Sequence, residues 1–113
     1  MFKEKQEGEL REPIRQWILS KNLVVSEEIT KIGKFPDLIG INGTSIEIAV
    51  ELKVSDWKKA LYQAIHYNLF ARKSYIAMPE KKRALLLKNL AEFKRWNVGI
   101  LLVGEKVEVL CEG

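Results

Sequence analysis

From Ile46 to Lys53 the chain alternates apolar and polar side chains without a break. Ile46, Ile48, Val50 and Leu52 fall on one side, and Glu47, Ala49, Glu51 and Lys53 on the other. A period of two is the repeat of a β-strand and of no helix. The branched apolar set predicts a face laid against a core. Upstream, a run beginning Pro36-Asp37 leads to Asn42-Gly43, a dipeptide that favours a tight turn. One predicted hairpin thus gathers an Asp, a Glu and a Lys. Its parity carries a condition. A two-residue Asn42-Gly43 turn sets Asp37 opposite Ile48, which puts it on the sheet face away from Glu51. For Asp37 and Glu51 to meet, the loop must be odd or one strand must carry a bulge.

The remaining elements follow from periodicity. Leu10, Ile14, Trp17 and Ile18 recur at helical spacing, predicting a helix from about residue 7 to 21, with Pro13 bending it or lying in its first turn. Asn22 suits a left-handed helix end. Leu23 to Ile32 reads as a first strand, and Gly33 to Pro36 turns into the hairpin. Ser55 is the expected N-cap of a helix from Asp56 to about Arg72, which buries Trp57, Ala60, Leu61, Ala64, Ile65 and Asn68 or Leu69. Ser74 to Met78 is a short strand. Glu80 to about Trp96 reads as one helix with Leu86, Leu87, Leu90 and Phe93 inward. Val98 to Val103 is apolar throughout, as a strand buried on both faces is. Lys106 to Leu110 closes the order αβββαβαββ. The prediction is a single α/β domain over residues 1–113, a mixed central sheet flanked by helices on both faces. No Gly-x-Gly-x-x-Gly follows a strand, which removes a dinucleotide-binding reading.

Charge and cysteine usage limit the setting. The formal net charge is +4, and the segment from Ala71 to Arg95 holds Arg72, Lys73, Lys81, Lys82, Arg83, Lys88, Lys94 and Arg95 against Glu80 and Glu92. Such a segment suits phosphate contacts, with a solvated helix surface as the plain alternative. The only cysteine, Cys111, leaves no internal disulfide. No apolar run approaches the roughly 18 residues of a membrane span. The first residues lack the apolar stretch of a signal peptide. A cytoplasmic protein without membrane association is the expectation. His66, the only histidine, has no second His or nearby Cys to share a metal with. Trp17 and Trp57 are expected in core packing, and Trp96, beside Lys94 and Arg95, in a more open place.

Pro36-Asp37, thirteen residues and then Glu51-Leu52-Lys53 together resemble the signature of the PD-(D/E)XK nuclease superfamily. Gln63 and Tyr67 on the following helix resemble the Gln-x-x-x-Tyr feature of its helicase-linked branch. The element order resembles the restriction-endonuclease-like fold over nearly the whole chain. The resemblance implies a DNA-cleaving enzyme using Mg²⁺ or Mn²⁺. Asp37, Glu51 and the Leu52 carbonyl would ligate the ion, and Glu7 from the first helix would add a carboxylate. Hard cations take such oxygen donors. Lys53 would act on the attacking water or the transition state, and Gln63 would lie beside the metal. Tyr67 would face substrate, and Lys81, Lys82 and Arg83 would contact phosphates. A nuclease this small implies a homodimer or a protein partner that supplies specificity. Two other readings remain: a non-catalytic nucleic-acid-binding or complex-forming module on the same fold, and a protein-interaction domain without nucleic acid.

Overall fold

The computed structural model describes residues 7–27 and 35–113. Helix α1 (Glu7–Leu19) leads to strands β1 (Val24–Glu27), β2 (Leu38–Asn42) and β3 (Ser45–Leu52). Helix α2 (Trp57–Tyr67) and strand β4 (Lys73–Pro79) follow. A 3-10 turn (Glu80–Lys82), short helices α3 (Arg83–Lys88) and α4 (Leu90–Arg95), and strands β5 (Val98–Val103) and β6 (Val107–Cys111) complete the order. The six strands form one mixed sheet whose spatial order is also the sequence order. β3, β4 and β5 run parallel, and the outer pairings are antiparallel. Among the described residues no helix is long and apolar enough to cross a membrane.

Both sheet faces are covered. On one, Leu10, Ile14 and Ile18 of α1 pack with Leu38, Ile48, Val50, Leu52, Tyr75, Leu101 and Val103. On the other, Ala60, Leu61, Ala64 and Tyr67 of α2, with Leu86 and Phe93, pack with Ala49, Ile76, Met78, Ile100 and Leu102. Gly40 lets α1 approach closely: a Cβ there would meet Ile18 Cγ2 at 2.7 Å and Leu23 Cδ1 at 2.9 Å. Any larger residue at position 40 would push α1 off β2.

The hairpin differs from the expected turn. The loop is Gly43-Thr44, with Asn42 paired to Ser45 and Gly43 at a positive φ of 63°. That spacing alone would put Asp37 and Glu51 on opposite faces. Between Gly40 and Ile41, however, the partner jumps from Ile48 to Ile46, leaving Glu47 as an extra, unpaired residue in β3. This bulge also breaks the alternation of side chains. Ile48, Val50 and Leu52 face α1, whereas Ile46 packs on the α2 side. Counting residues by twos therefore misplaces Ile46.

Other boundaries shift for local reasons. The described part of the first strand ends at Glu27; residues 28–34, including the rest of the expected strand to Ile32 and the first half of the following turn, lie outside the described residues. Pro13 sits inside α1, not in its first turn. Asn22 has the left-handed conformation expected of it, with φ 61°. Asp56, rather than Ser55, caps α2: it is left-handed and its carboxylate accepts the Lys59 N–H at 3.3 Å. Leu69, expected as a core alternative to Asn68, is 86% exposed. The expected helix from Glu80 to Trp96 is broken at Asn89. There the side-chain amide donates to Leu85 O at 2.9 Å, occupying the carbonyl that its own N–H would bond in a continuous helix. The Asn89 N–H turns to Leu86 O instead. Leu87 consequently points outward, while Leu86 and Phe93 are fully buried.

Candidate active site

The bulge at Glu47 creates the site's geometry. Beyond it, Leu38 pairs with Val50, so the next position brings Asp37 opposite Glu51 on one face of the sheet. Both residues are only 2% exposed. Buried carboxylates need donors or cations, because an unpartnered charge away from water is costly. Asp37 receives the Leu52 N–H on Oδ2 at 2.8 Å. Glu51 receives the Tyr67 hydroxyl on Oε1 at 2.6 Å. Tyr67 Oη also lies 3.2 Å from Phe35 O, but the single phenolic hydrogen favours the shorter contact to the charged group. Burial raises the Tyr67 hydroxyl well above its ordinary pKa, and the Glu51 hydrogen bond and the nearby Glu51 and Asp37 charges raise it further. The phenol therefore stays protonated and donates to Glu51 across the working pH range.

Arg11 of α1 completes this cluster, and sequence reasoning missed it. Its Nη1 donates to Asp37 O and to Glu27 Oε1, each at 3.2 Å, and its Nη2 stands 3.9 Å from Asp37 Oδ1. Glu27 also pairs with Arg15. A row of alternating charge, Arg15–Glu27–Arg11–Asp37, thus joins α1, β1 and the start of β2. The available signal was positional: Arg11 adjoins Leu10 on the flank of the helix's buried stripe, where a cation can reach an acid on the sheet.

Lys53 follows β3 directly and is half-buried. Its N–H donates to Ala77 O at 3.0 Å, extending the parallel register beyond Leu52 and Ala77. Being two residues from Glu51 along an extended chain, it shares that residue's side of the sheet. Gln63 lies one turn before Tyr67 on α2; its Oε1 is buried with no hydrogen-bond partner among the described residues. Tyr67, expected to face substrate, is 1% exposed and places its hydroxyl on Glu51. Glu7 opens α1 and is half-exposed. Among the described residues no group of three or more His, Cys, Asp and Glu is placed to hold a metal ion.

Lys81, Lys82 and Arg83 follow the C-terminal end of β4, the sheet end toward which Glu51 and Lys53 also run. Arg83 is held by Glu108 of β6 in a two-pronged pair, with Nη1 to Oε2 at 2.8 Å. That bond raises the arginine's pKa and lowers the glutamate's. Elsewhere in the basic segment, Arg72 faces Glu47 and Lys73 faces Glu112, each at 3.6 Å. Part of the positive charge read from the sequence is thus offset by acids from other elements. His66 keeps its Nδ1 2.9 Å from Tyr62 O. Trp17 packs edge-on against Tyr75, Trp57 lies against Phe93, and Trp96 is partly open with the Arg95 guanidinium over its ring.

No protein-family model and no curated protein sequence matches the chain. Among solved structures, it is similar in fold to the YaeQ protein from Xanthomonas axonopodis pv. citri, with a TM-score of 0.59 and 11% sequence identity. That similarity covers 92% of this chain and 59% of YaeQ, so the chain spans well under two thirds of its neighbour's length. At this identity the likeness describes the fold: a mixed α/β sheet between helices.

Proposed function

We propose that this chain is a metal-dependent nuclease of the PD-(D/E)XK type, acting on DNA phosphodiester bonds in the cytoplasm. The proposal includes a restriction-endonuclease-like core. One observation carries it: the Glu47 bulge brings Asp37 and Glu51 to the same face, both buried, with Lys53 two residues further on. Correcting the parity of a hairpin is what a shared carboxylate site requires.

The donor set fits Mg²⁺ or Mn²⁺. Asp37, Glu51 and the Leu52 carbonyl are hard oxygen ligands, and Mg²⁺ commonly takes one or two carboxylates and keeps several waters. Glu7 is the proposed further carboxylate. When bound, the ion would lower the pKa of a water and offset charge on the phosphoryl oxygens. The chain's own residues hold the geometry. Tyr67 fixes the Glu51 carboxylate, Arg11 fixes Asp37, and Lys53 supplies a cation for the water or the scissile phosphate. Lys81, Lys82 and Arg83 would follow the DNA backbone, and a second copy or a protein partner would supply specificity.

A second reading has its own support. Arg11 and Tyr67 already give both carboxylates protein partners, as a non-catalytic nucleic-acid-binding or complex-forming module would require. Cleavage of single-stranded, duplex and branched DNA with Mg²⁺, Mn²⁺ or EDTA separates the two. Wild type should cut in metal. Asp37→Ala and Glu51→Ala should lose cleavage yet bind DNA in EDTA at least as well as wild type, because removing a carboxylate removes repulsion of phosphate. Lys53→Ala should lose cleavage. A wild type that leaves every substrate intact in both metals, alone and with proteins it captures, overturns the nuclease reading.

A further inference from the structure

Arg11 stands between two acids that lie on different sides of the sheet. Glu27 pairs with Leu38, whose side chain faces α1, so the Glu27 carboxylate lies on the α1 side. Asp37 precedes Leu38 and faces the other way, toward Glu51. The guanidinium spans this divide. Its Nη1 is 3.2 Å from Glu27 Oε1, a hydrogen bond, while its Nη2 is 3.9 Å from Asp37 Oδ1, an ion pair without one. The two Asp37 oxygens are unequal as well. Oδ2 takes the Leu52 N–H at 2.8 Å, and Oδ1 faces the arginine. A cation ligated by Oδ1 therefore has this guanidinium as an immediate neighbour. Between groups this poorly solvated, like charges repel with little screening by salt. Arg15 holds the second oxygen of Glu27, Oε2, so that acid is fixed with Oε1 turned to Arg11.

We propose that Arg11 and a divalent cation compete for Asp37, and that Glu27 takes over the arginine when the ion binds. The inference rests on the nuclease reading for the ion's place on Asp37 and Glu51. In the metal-free protein Arg11 offsets the buried Asp37 charge. With a cation on Oδ1 that offset is no longer needed, and the guanidinium turns wholly to Glu27, on its own side of the sheet. Arg11 is then a positioning residue with two settings: it covers the Asp37 charge when no ion does, and it limits how tightly an ion is held. The two members of the pair act in opposite directions. Arg11 weakens the hold on the ion. Glu27 strengthens it, and does so through Arg11. A merely structural pair would weaken metal binding on loss of either member, since both would be supporting the same site.

The test is Mn²⁺ titration by isothermal calorimetry, without DNA, on wild type, Arg11→Met, Glu27→Gln and the double variant. Arg11→Met should tighten Mn²⁺ binding by about 5-fold or more, and Glu27→Gln should weaken it by a similar factor, the lower end of ordinary coupling between linked sites. In the Arg11→Met background Glu27→Gln should change affinity by less than about 2-fold, because the residue through which it acts is gone. Arg11→Lys keeps the charge and should bind Mn²⁺ more nearly as wild type does. Arg11→Met should also lower the thermal midpoint in EDTA yet gain more from added Mn²⁺. If Arg11→Met does not fold in EDTA, Glu27→Gln decides alone: weaker Mn²⁺ binding supports the proposal, and unchanged or tighter binding overturns it. Equal or weaker binding by a folded Arg11→Met, or one effect of Glu27→Gln in both backgrounds, overturns it as well. So do Mn²⁺ binding that survives Asp37→Ala and a lack of binding in every variant. The nuclease reading fails separately: this pattern of affinities without cleavage of any DNA leaves the competition standing, and cleavage with Mn²⁺ binding indifferent to Arg11 removes the competition alone.

Discussion

Tyr67→Phe tests how the buried carboxylates are held. The change removes one oxygen and keeps the ring that α2 packs on the sheet. The lost bond is an O–H···O⁻ interaction of 2.6 Å between residues 1% and 2% exposed. Hydrogen bonds to charged groups contribute about 1.5–3 kcal/mol. This one is short and dry, so about 2–3 kcal/mol is the expected cost. Unfolding entropy of about 2.1 cal/mol/K per residue gives about 0.24 kcal/mol/K for 113 residues. The thermal midpoint in EDTA at neutral pH should then fall by about 8–13 °C. In a Glu51→Gln background the acceptor is neutral, and the same substitution should cost only about 1 kcal/mol. Alkali gives a second readout. The Tyr67 pKa is raised by folding, so its contribution is full below its ordinary value of 10.0 and is lost as pH rises beyond it. Tyr67→Phe should flatten that part of the alkaline decline. Tyr75, also raised by burial and by its bond to Glu112, should retain its own share. Differential scanning calorimetry across pH measures both effects. A midpoint within about 2 °C of wild type, with an unchanged alkaline slope, would refute the reasoning.

Two further perturbations probe the site from outside it. Deleting Glu47 removes the bulge; with the Gly43-Thr44 turn retained, Ile46 and Ile48 become neighbours, Leu38 stays opposite Val50, and Asp37 should stay on the face of Glu51. The deletion should therefore still cleave, and a folded deletion variant without cleavage would show that carboxylate pairing alone does not make the site. Changing Lys81, Lys82 and Arg83 together to Gln should flatten the salt dependence of duplex binding by about 0.9 in log–log slope for each phosphate no longer neutralised. Because Glu108 already engages Arg83, Arg83→Gln alone should change the slope least, and an unchanged slope in the triple variant would move the DNA path elsewhere.

The sequence carried the elements that depend on period and on turn chemistry. The hairpin, the buried run Val98–Val103, α2 with its small residues, and the need for a parity correction could all be argued from residue types. What it did not carry depends on choices between near-equal local structures. Asn42-Gly43-Thr44 supports a turn at either of two positions, and a bulge can absorb either one. Only packing on both faces selects the bulge at Glu47, and that selection moves Ile46 to the α2 side. The break at Asn89 depends on a side-chain amide outcompeting its own backbone, a contest between two bonds to nearby carbonyls. Arg11 and Tyr67 reach the carboxylates across the fold, and no spacing rule relates residue 11 to 37 or 67 to 51. The charge of residues 71–95 was visible, but the acids that offset part of it come from β3, β6 and the chain's last residues.

The strictly sequential order of the sheet bears on how the chain comes together in time. Each strand finds its partner among the residues just made, so no pairing waits for a distant segment. Short loop closures come first and the sheet grows from one side to the other. The carboxylate cluster draws on Arg11, Asp37, Glu51 and Tyr67, all within the first 67 residues. On a ribosome it could be assembled before β5 and β6 emerge. At that stage β4 would present an open edge, buried in the finished sheet and rich in apolar side chains. The interval before β5 docks is therefore the period in which a nascent chain is most exposed to edge-to-edge aggregation.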